Sequence, residues 1–412
     1  MSITKEGLSR YQVLNERQRK NLIILDAVRR NGPISKADLS KDLGYNIVTL
    51  SNYVDEYIKK GIVKQSGTEA SKGGRKPTLI ELNKKEVFLI GIDFSQEALS
   101  AVLTDFMLNI IAEAEMPRPA IEQDAVSAAL VSVIKEVIKK AGVNPAKIKF
   151  VGIGSYGMTD EKNKALKGLD EEKGRSRATV YFADLKNDIE KEFNIQAFFG
   201  TDAMFAAFGE RAVNPEAAAE NLLYIFKDLG KGVIIRGEVY CGTNITGVDL
   251  EGLTGILSHE EKSKILDDSL YLKPWNAQMS LKKEALKVIE SGVGTKIVEF
   301  VKGNMGQLTD DIIIKAAASN DELAIDVIEG IGINLGVRIS YLINLFAPQV
   351  VIIGGGIERA GEVLFTQIKK TVQKLSLEKP KQSVAILPSV TGEKAVSLGA
   401  ASVGLREVFL ES

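Results

Sequence analysis

Between residues 17 and 30 the apolar positions Leu22, Ile23, Leu25, Ala27 and Val28 recur with the spacing of one helical face, and Asn31-Gly32-Pro33 ends the run. Ser35 is placed to cap a short helix over residues 36–43, with Ala37, Leu39 and Leu43 facing inward. Gly44 permits a tight turn, and Asn46 can cap a third helix. Along that helix Leu50, Tyr53, Val54, Tyr57 and Ile58 fall at i, i+3, i+4, i+7 and i+8, which makes one continuous stripe. Gly61 ends it. Residues 62–65 and 78–82 then read as two strands, joined through the basic stretch Ser71-Lys72-Gly73-Gly74-Arg75-Lys76-Pro77.

The stripe leaves Asn46, Thr49, Ser51 and Asn52 near the start of the third helix, on or beside its outward face, with Ser35 at the start of the second. Short polar side chains in such positions suit base edges and phosphates in a DNA major groove. In the connecting stretch, Gly74 and its neighbour let the backbone lie close to a surface, while Lys72, Arg75 and Lys76 supply charge. An arginine so placed suits a narrow minor groove. The hairpin taken alone reads equally well as a solvated basic loop. The helix-turn-helix directly upstream is what points the pair towards DNA.

From residue 87 the pattern changes. Residues 87–93 read as a buried strand, 99–105 and 109–112 as a hairpin, 125–141 as a helix, 150–154 as a strand, 179–193 as a helix and 196–199 as a strand. A second series follows: strands at 222–226, 233–236 and 238–240, then helices, a strand at 349–353 ending in Gly354-Gly355-Gly356, a strand at 384–387 and a helix over 394–408. Two successive sheet-and-helix units predict two α/β lobes facing across a cleft, with ligands held at glycine-rich strand ends. The predicted domains are residues 1–83, a winged helix-turn-helix, then 84–215 and 216–412, the two lobes.

Charge sharpens this division. Residues 1–83 hold 15 Lys and Arg against 9 Asp and Glu, a net of +6, while the rest holds 38 against 45, a net of −7. A basic head on an acidic body suits nucleic-acid contact by the head alone. Cys241 is the sole cysteine, so an intrachain disulfide and a cysteine-rich zinc site are both excluded. No apolar run approaches the roughly 18 residues of a membrane span, and the first residues lack a signal-peptide core, so a cytoplasmic protein is expected.

At these residues the chain resembles the ROK family (repressors, open reading frames and sugar kinases) over nearly its whole length. Residues 151–157, Val-Gly-Ile-Gly-Ser-Tyr-Gly, resemble the family's sugar loop, with Tyr156 where proline is usual. Thr201-Asp202-Ala203-Met204 resembles the turn that carries the kinases' catalytic base. Residues 237–242 resemble the strand-turn before the sugar-binding segment, Ile353-Gly354-Gly355-Gly356 the nucleotide-side turn, and Ser397-Leu398-Gly399-Ala400-Ala401 the closing helix. The resemblance implies an actin-like, ribonuclease H-like sugar-kinase fold behind the DNA-binding head. It also implies an effector site drawn from Gly154, Ser155, Tyr156, Gly157, Thr201, Asp202, Asn244, Asp249 and Lys287.

Departures from the family pattern bear on activity. The first phosphate loop reads Asp93-Phe94-Ser95-Gln96-Glu97 and lacks its glycine; the second reads Phe226-Lys227-Asp228-Leu229-Gly230-Lys231-Gly232, with Asp228 set to repel phosphate. Gly252 stands at the position of a zinc-binding histidine, and His259, the sole histidine, has no ligand set around it. Neither enzymatic activity nor a cofactor or metal is expected, and Asp202 remains as a vestigial base. Lys287 in place of a sugar-binding glutamate raises the option of an anionic effector, against that of an ordinary helix lysine. The expected function is a sugar-responsive repressor, a homodimer or homotetramer on an operator. The alternatives are a carbohydrate kinase with a DNA-binding head and an effector-independent DNA-binding scaffold.

Overall fold

The computed structural model describes residues 14–68, 77–95, 98–155, 159–160, 165–170, 175–226, 230–235, 238–239, 279–377 and 384–412. The chain divides into two compact units, residues 1–213 with 396–412, and residues 214–395. No helix among the described residues is long and apolar enough to cross a membrane.

Unit 1 opens with α1 (Glu16–Asn31). Asn15 accepts the Gln18 N–H, and the Gln18 side chain accepts the Asn15 N–H in return, so two orphan donors are satisfied at once. After β1 (Ile34–Ser35), the Ser35 hydroxyl caps α2 (Lys36–Leu43), and Gly44 supplies the left-handed turn at φ +66°. Asn46 accepts the Val48 N–H at 2.8 Å and so starts α3 (Ile47–Lys59). The predicted stripe is the buried face: Leu50, Val54 and Tyr57 are fully enclosed, and Tyr53 and Ile58 are half-buried. Of the three α2 residues predicted to face inward, Leu39 is enclosed and Leu43 half-buried, but Ala37 is exposed. Ala37 stands two residues before Leu39, about 200° around the helix, and so faces away from the core.

Strands β2 (Val63–Thr68) and β3 (Thr78–Leu82) pair antiparallel, and β1 adds to the free edge of β3 through Ile34 and Ile80. Within this N-terminal part Tyr57 donates to Asn21 Oδ1 at 2.7 Å, and both residues are buried. Tyr57→Phe leaves that amide oxygen without its donor. It is expected to cost about 1–3 kcal/mol, read by thermal or urea unfolding; an unchanged midpoint would mean that the bond contributes nothing to holding α3 on α1.

Next come β4 (Phe88–Asp93), β5 (Ala98–Thr104), β6 (Ile110–Pro117), α4 (Gln123–Ala141), β7 (Ile148–Ser155), β8 (Thr159–Asp160), β9 (Ala165–Asp170), β10 (Arg175–Tyr181), α5 (Phe182–Phe193), β11 (Gln196–Thr201) and α6 (Asp202–Val213). The main sheet runs β11-β7-β4-β5-β6, with β11, β7 and β4 parallel and β4-β5-β6 an antiparallel meander. Every residue of β4 is buried, as a central strand covered on both faces requires. Val126, Leu130, Val133, Ile134 and Val137 of α4 join the same core. Strands β8–β10 form a separate antiparallel sheet. The predicted helix at 179–193 therefore begins later, at Phe182, because residues 179–181 finish β10.

Unit 2 contains β12 (Leu222–Phe226), β13 (Gly230–Ile235), β14 (Glu238–Val239), α7 (Leu281–Glu290), α8 (Lys296–Phe300), α9 (Asp310–Ala318), α10 (Glu322–Phe346), β15 (Val350–Gly354), α11 (Gly361–Leu375) and β16 (Ala385–Pro388). Its sheet runs β14-β13-β12-β15-β16, with β12, β15 and β16 parallel. Helices α10 and α11 pack closely, since a Cβ on Gly336 would lie 2.6 Å from Thr371.

The last helix, α12 (Ala395–Leu410), belongs to unit 1 from Val396 onward, although sequence order groups it with the second lobe. It lies against the main sheet at backbone contact. A Cβ on Gly91 would sit 1.8 Å from the Ser397 carbonyl oxygen, one on Gly152 2.5 Å from that of Ala400, and one on Gly399 1.6 Å from that of Phe205. Nearly every residue of α12 is buried, which explains a helix apolar on all sides.

Candidate functional site

Two groups of candidate residues fall within unit 1. The first is the start of α3. Asn46, Thr49 and Asn52 are exposed, and Ser51 is half-buried beside them. The cap uses only the Asn46 amide oxygen, leaving its two N–H donors for other partners. Ser35 is a correction to the predicted set. It is buried, its hydroxyl is engaged with Asp38 at the start of α2, and its backbone pairs with β3, so it lies off the exposed face. Lys72, Gly74, Arg75 and Lys76 lie outside the described residues.

The same helix turn carries a feature that periodicity does not show. Ile47 and Val48 are 44 % and 65 % exposed, although both are large and apolar. Ile47 lies at i−3 from Leu50, at the exposed end of the buried stripe, and Val48 turns away from it.

The second group lies at the C-terminal edge of the parallel strands. Register pairs Asp93 of β4 with Gly154 of β7, then Gly154 with Gly200 and Ser155 with Thr201 of β11. Asp93, Ser155, Thr201 and Asp202 therefore form one row across three neighbouring strands, the edge at which open α/β sheets hold ligands. Asp202, the first residue of α6, is buried and accepts the Ala203 N–H at 2.7 Å. Its carboxylate gains from the helix N-terminus and can accept further hydroxyl donors. Gly154 has a packing role, because a Cβ there would lie 2.3 Å from Val396 and 3.0 Å from Phe205.

Asp93 is fully buried and accepts both the N–H and the hydroxyl of Ser95, at 2.7 and 2.5 Å. The Arg118 guanidinium stands 4.8 Å over the Phe94 ring. Burial lowers the Arg118 pKa, and the negative charge of Asp93 opposes that shift. Arg118 is a second residue that sequence motifs do not bring forward, because it sits beyond β6 and meets the loop only through the sheet.

Tyr156, Gly157, Asn244 and Asp249 lie outside the described residues, as do Gln96, Glu97, Asp228, Gly252 and His259. Lys287 belongs to unit 2, in the last turn of α7. Its side chain is 78 % exposed and 3.7 Å from Glu284, the setting of a solvated helix lysine.

The remaining elements connect these groups inside unit 1. Arg30 of α1 donates to the carbonyl oxygen of Arg211, in the last turn of α6, at 3.1 Å. Lys60, which caps α3, donates to the Ser412 carbonyl at 2.6 Å. Helix α6, roughly 18 Å long for its twelve residues, thus runs from Asp202 to the N-terminal helices.

Known proteins match along nearly the full chain. It is 25 % identical to the xylose repressor of Caldicellulosiruptor bescii over 403 residues, covering 95 % of this chain and 97 % of that protein. It is 22 % identical to the Escherichia coli K12 DNA-binding transcriptional dual regulator NagC, covering 90 % and 89 %. The crystal structure of a ROK family transcriptional regulator, a homolog of the E. coli MLC protein, superposes with a TM-score of 0.74 at 21 % identity, over 96 % of this chain and 98 % of that one. The ROK family pattern itself matches residues 89–249 and 286–407, and the chain belongs to the ROK family.

Proposed function

We propose that this protein is a sequence-specific DNA-binding transcriptional regulator, a repressor of carbohydrate uptake or catabolism genes released by a sugar or sugar derivative. The observation that carries the reading is α3, which buries Leu50, Val54 and Tyr57 on one face while Asn46, Thr49 and Asn52 in its cap and first two turns are exposed to solvent. With α2 before it and the β1-β3-β2 sheet around it, α3 serves as the recognition helix of a winged helix-turn-helix. The sequence between β2 and β3 holds Lys72, Arg75 and Lys76, and residues 1–83 carry the net positive charge that attracts DNA. The repressor names borne by the relatives support the same assignment.

The effector binds at the strand-end row, where Asp202 accepts sugar hydroxyls beside Ser155 and Thr201. Helix α6 then carries a small shift at Asp202 to α1 through the Arg30 contact with Arg211. Only a difference in sugar affinity between the DNA-competent and DNA-released states can drive that change. The protein acts in the cytoplasm as a homodimer or homotetramer, so that paired recognition helices meet the two halves of an inverted repeat.

Phosphoryl transfer requires a cradle for ATP phosphates. Asp93 here is engaged by Ser95 and coupled to Arg118, and the adjoining sequence lacks the kinase glycine, which favours ligand sensing over catalysis. The retained, buried Asp202 favours a second reading, a carbohydrate kinase with a DNA-binding head. One experiment separates them. Footprinting on the promoter of its own gene is expected to reveal a protected inverted repeat that a pentose or hexose panel releases, with no ATP turnover. Turnover that Asp202→Asn abolishes would establish the kinase instead, and absence of any protected site would remove the repressor.

A further inference from the structure

The first turn of α3 holds two large aliphatic side chains in water, Val48 at 65 % and Ile47 at 44 % exposure, while Leu50, Val54 and Tyr57 on the same helix are at 0 %. Both are β-branched, a type that loses side-chain freedom in a helix, a cost that packing contacts normally offset. A helix start that needed only to be soluble would favour Ser, Asp, Glu or Ala. The neighbours Asn46, Thr49 and Asn52 are exposed and polar, so Val48 stands inside a polar surface and Ile47 at its border with the buried stripe.

The N-terminal segment that carries this turn is basic, as suits a nucleic-acid partner. Residues 1–83 carry +6 against −7 for the remainder. The major-groove edge of a base pair offers one apolar group, the C5-methyl of thymine. Residues at the N-terminal turn of a helix lying in that groove are the ones that reach base edges. On the DNA-binding reading above, we infer that Ile47 and Val48 select thymine in each operator half-site by enclosing its methyl group. Asn46, Thr49 and Asn52 supply the hydrogen bonds around them. Their stiff branched side chains hold methyls in fixed directions, so little rotamer freedom remains to be lost on contact. Burying one methyl is then worth roughly a three- to fivefold change in affinity.

The test lets the full-length protein select its site from a random-sequence duplex pool. The selected duplex is then rebuilt with deoxyuridine at single thymines, which removes the methyl and leaves every hydrogen-bonding group. At one or more thymines of each half-site the dissociation constant is expected to rise about three- to fivefold, with no change for uridine in the flanks. Val48→Ala or Ile47→Ala is expected to bind the thymine duplex about as weakly as the wild type binds the uridine duplex, and to lose discrimination at that position. Equal wild-type affinity for thymine and uridine at every position overturns the inference and leaves DNA binding standing. Selection of no sequence at all removes the DNA-binding reading, and this inference with it. A Val48→Ala protein that alters oligomeric state yet keeps full methyl discrimination assigns the pair to a protein contact and also overturns the inference.

Discussion

Gly399→Ala is expected to lower the melting temperature by about 10 °C or more, from a loss of roughly 4 kcal/mol or above. The added Cβ would sit 1.6 Å from the carbonyl oxygen of Phe205 and 2.2 Å from its carbonyl carbon. Those are backbone atoms of α6, so no side chain can rotate away; one helix must move by about 2 Å to reach ordinary van der Waals separation. Movement of α12 is opposed by Gly91 and Gly152, whose strands touch the same helix at Ser397 and Ala400. A well-packed interior transmits such a shift instead of absorbing it. The same substitution at Gly330 should have the opposite sign. Gly330 is an exposed position within α10 whose Cβ would meet no heavy atom within 4 Å, and its φ is not left-handed. Alanine there is expected to stabilise by about 0.5–1 kcal/mol. Thermal unfolding of the two variants beside the wild type checks both. If Gly399→Ala melted with the wild type, α12 could not lie against α6 at backbone distance.

That contact also marks where the sequence is readable and where it is not. The stripe on α3 is visible along the chain because it repeats a helical period, and the central strands of the two five-stranded sheets because they are short continuous apolar runs bounded by turn residues. Two residues carry no period, so β1 is invisible without its pairing to β3. The short antiparallel sheet β8–β10 escapes the same kind of reading, and with it the true start of α5 at Phe182. Nothing local tells a terminal helix which unit it joins, and α12 returns to unit 1 through glycines 91 and 152, more than 240 positions away in sequence.

The site divides in the same way. The motifs around Asp93, Ser155 and Asp202 are recognisable singly, but only parallel register sets them in one row. A capping serine looks alike whether enclosed or exposed, which is why Ser35 reads as outward-facing until its pairing with β3 is seen. Arg118 enters the Asp93 loop across the sheet, at a separation no short motif spans. In each case the local chemistry is legible, and what sequence lacks is the tertiary neighbour.

Replacing Lys72, Arg75 and Lys76 together with alanine is expected to weaken operator binding about 100-fold at roughly 0.15 M salt. Each cation that neutralises a phosphate releases condensed counterions and adds about 0.9 to the slope of log affinity against log salt concentration. Three such contacts contribute a slope of nearly 3, and at that salt each is worth roughly fivefold. The loss should therefore shrink as salt rises, which a failure of folding would not reproduce. Phosphate contacts position a protein without specifying sequence, so the lysine changes should weaken operator and random duplex in near proportion. On the proposed reading Arg75 is the exception: an arginine that enters a narrow minor groove discriminates A·T-rich from G·C-rich flanks, so Arg75→Lys is expected to lose that preference while keeping most of the slope. Titrations of operator and random duplexes at four salt concentrations give all of these quantities at once. A triple variant with the wild-type slope would take the wing off the DNA and leave α3 as the contact that remains.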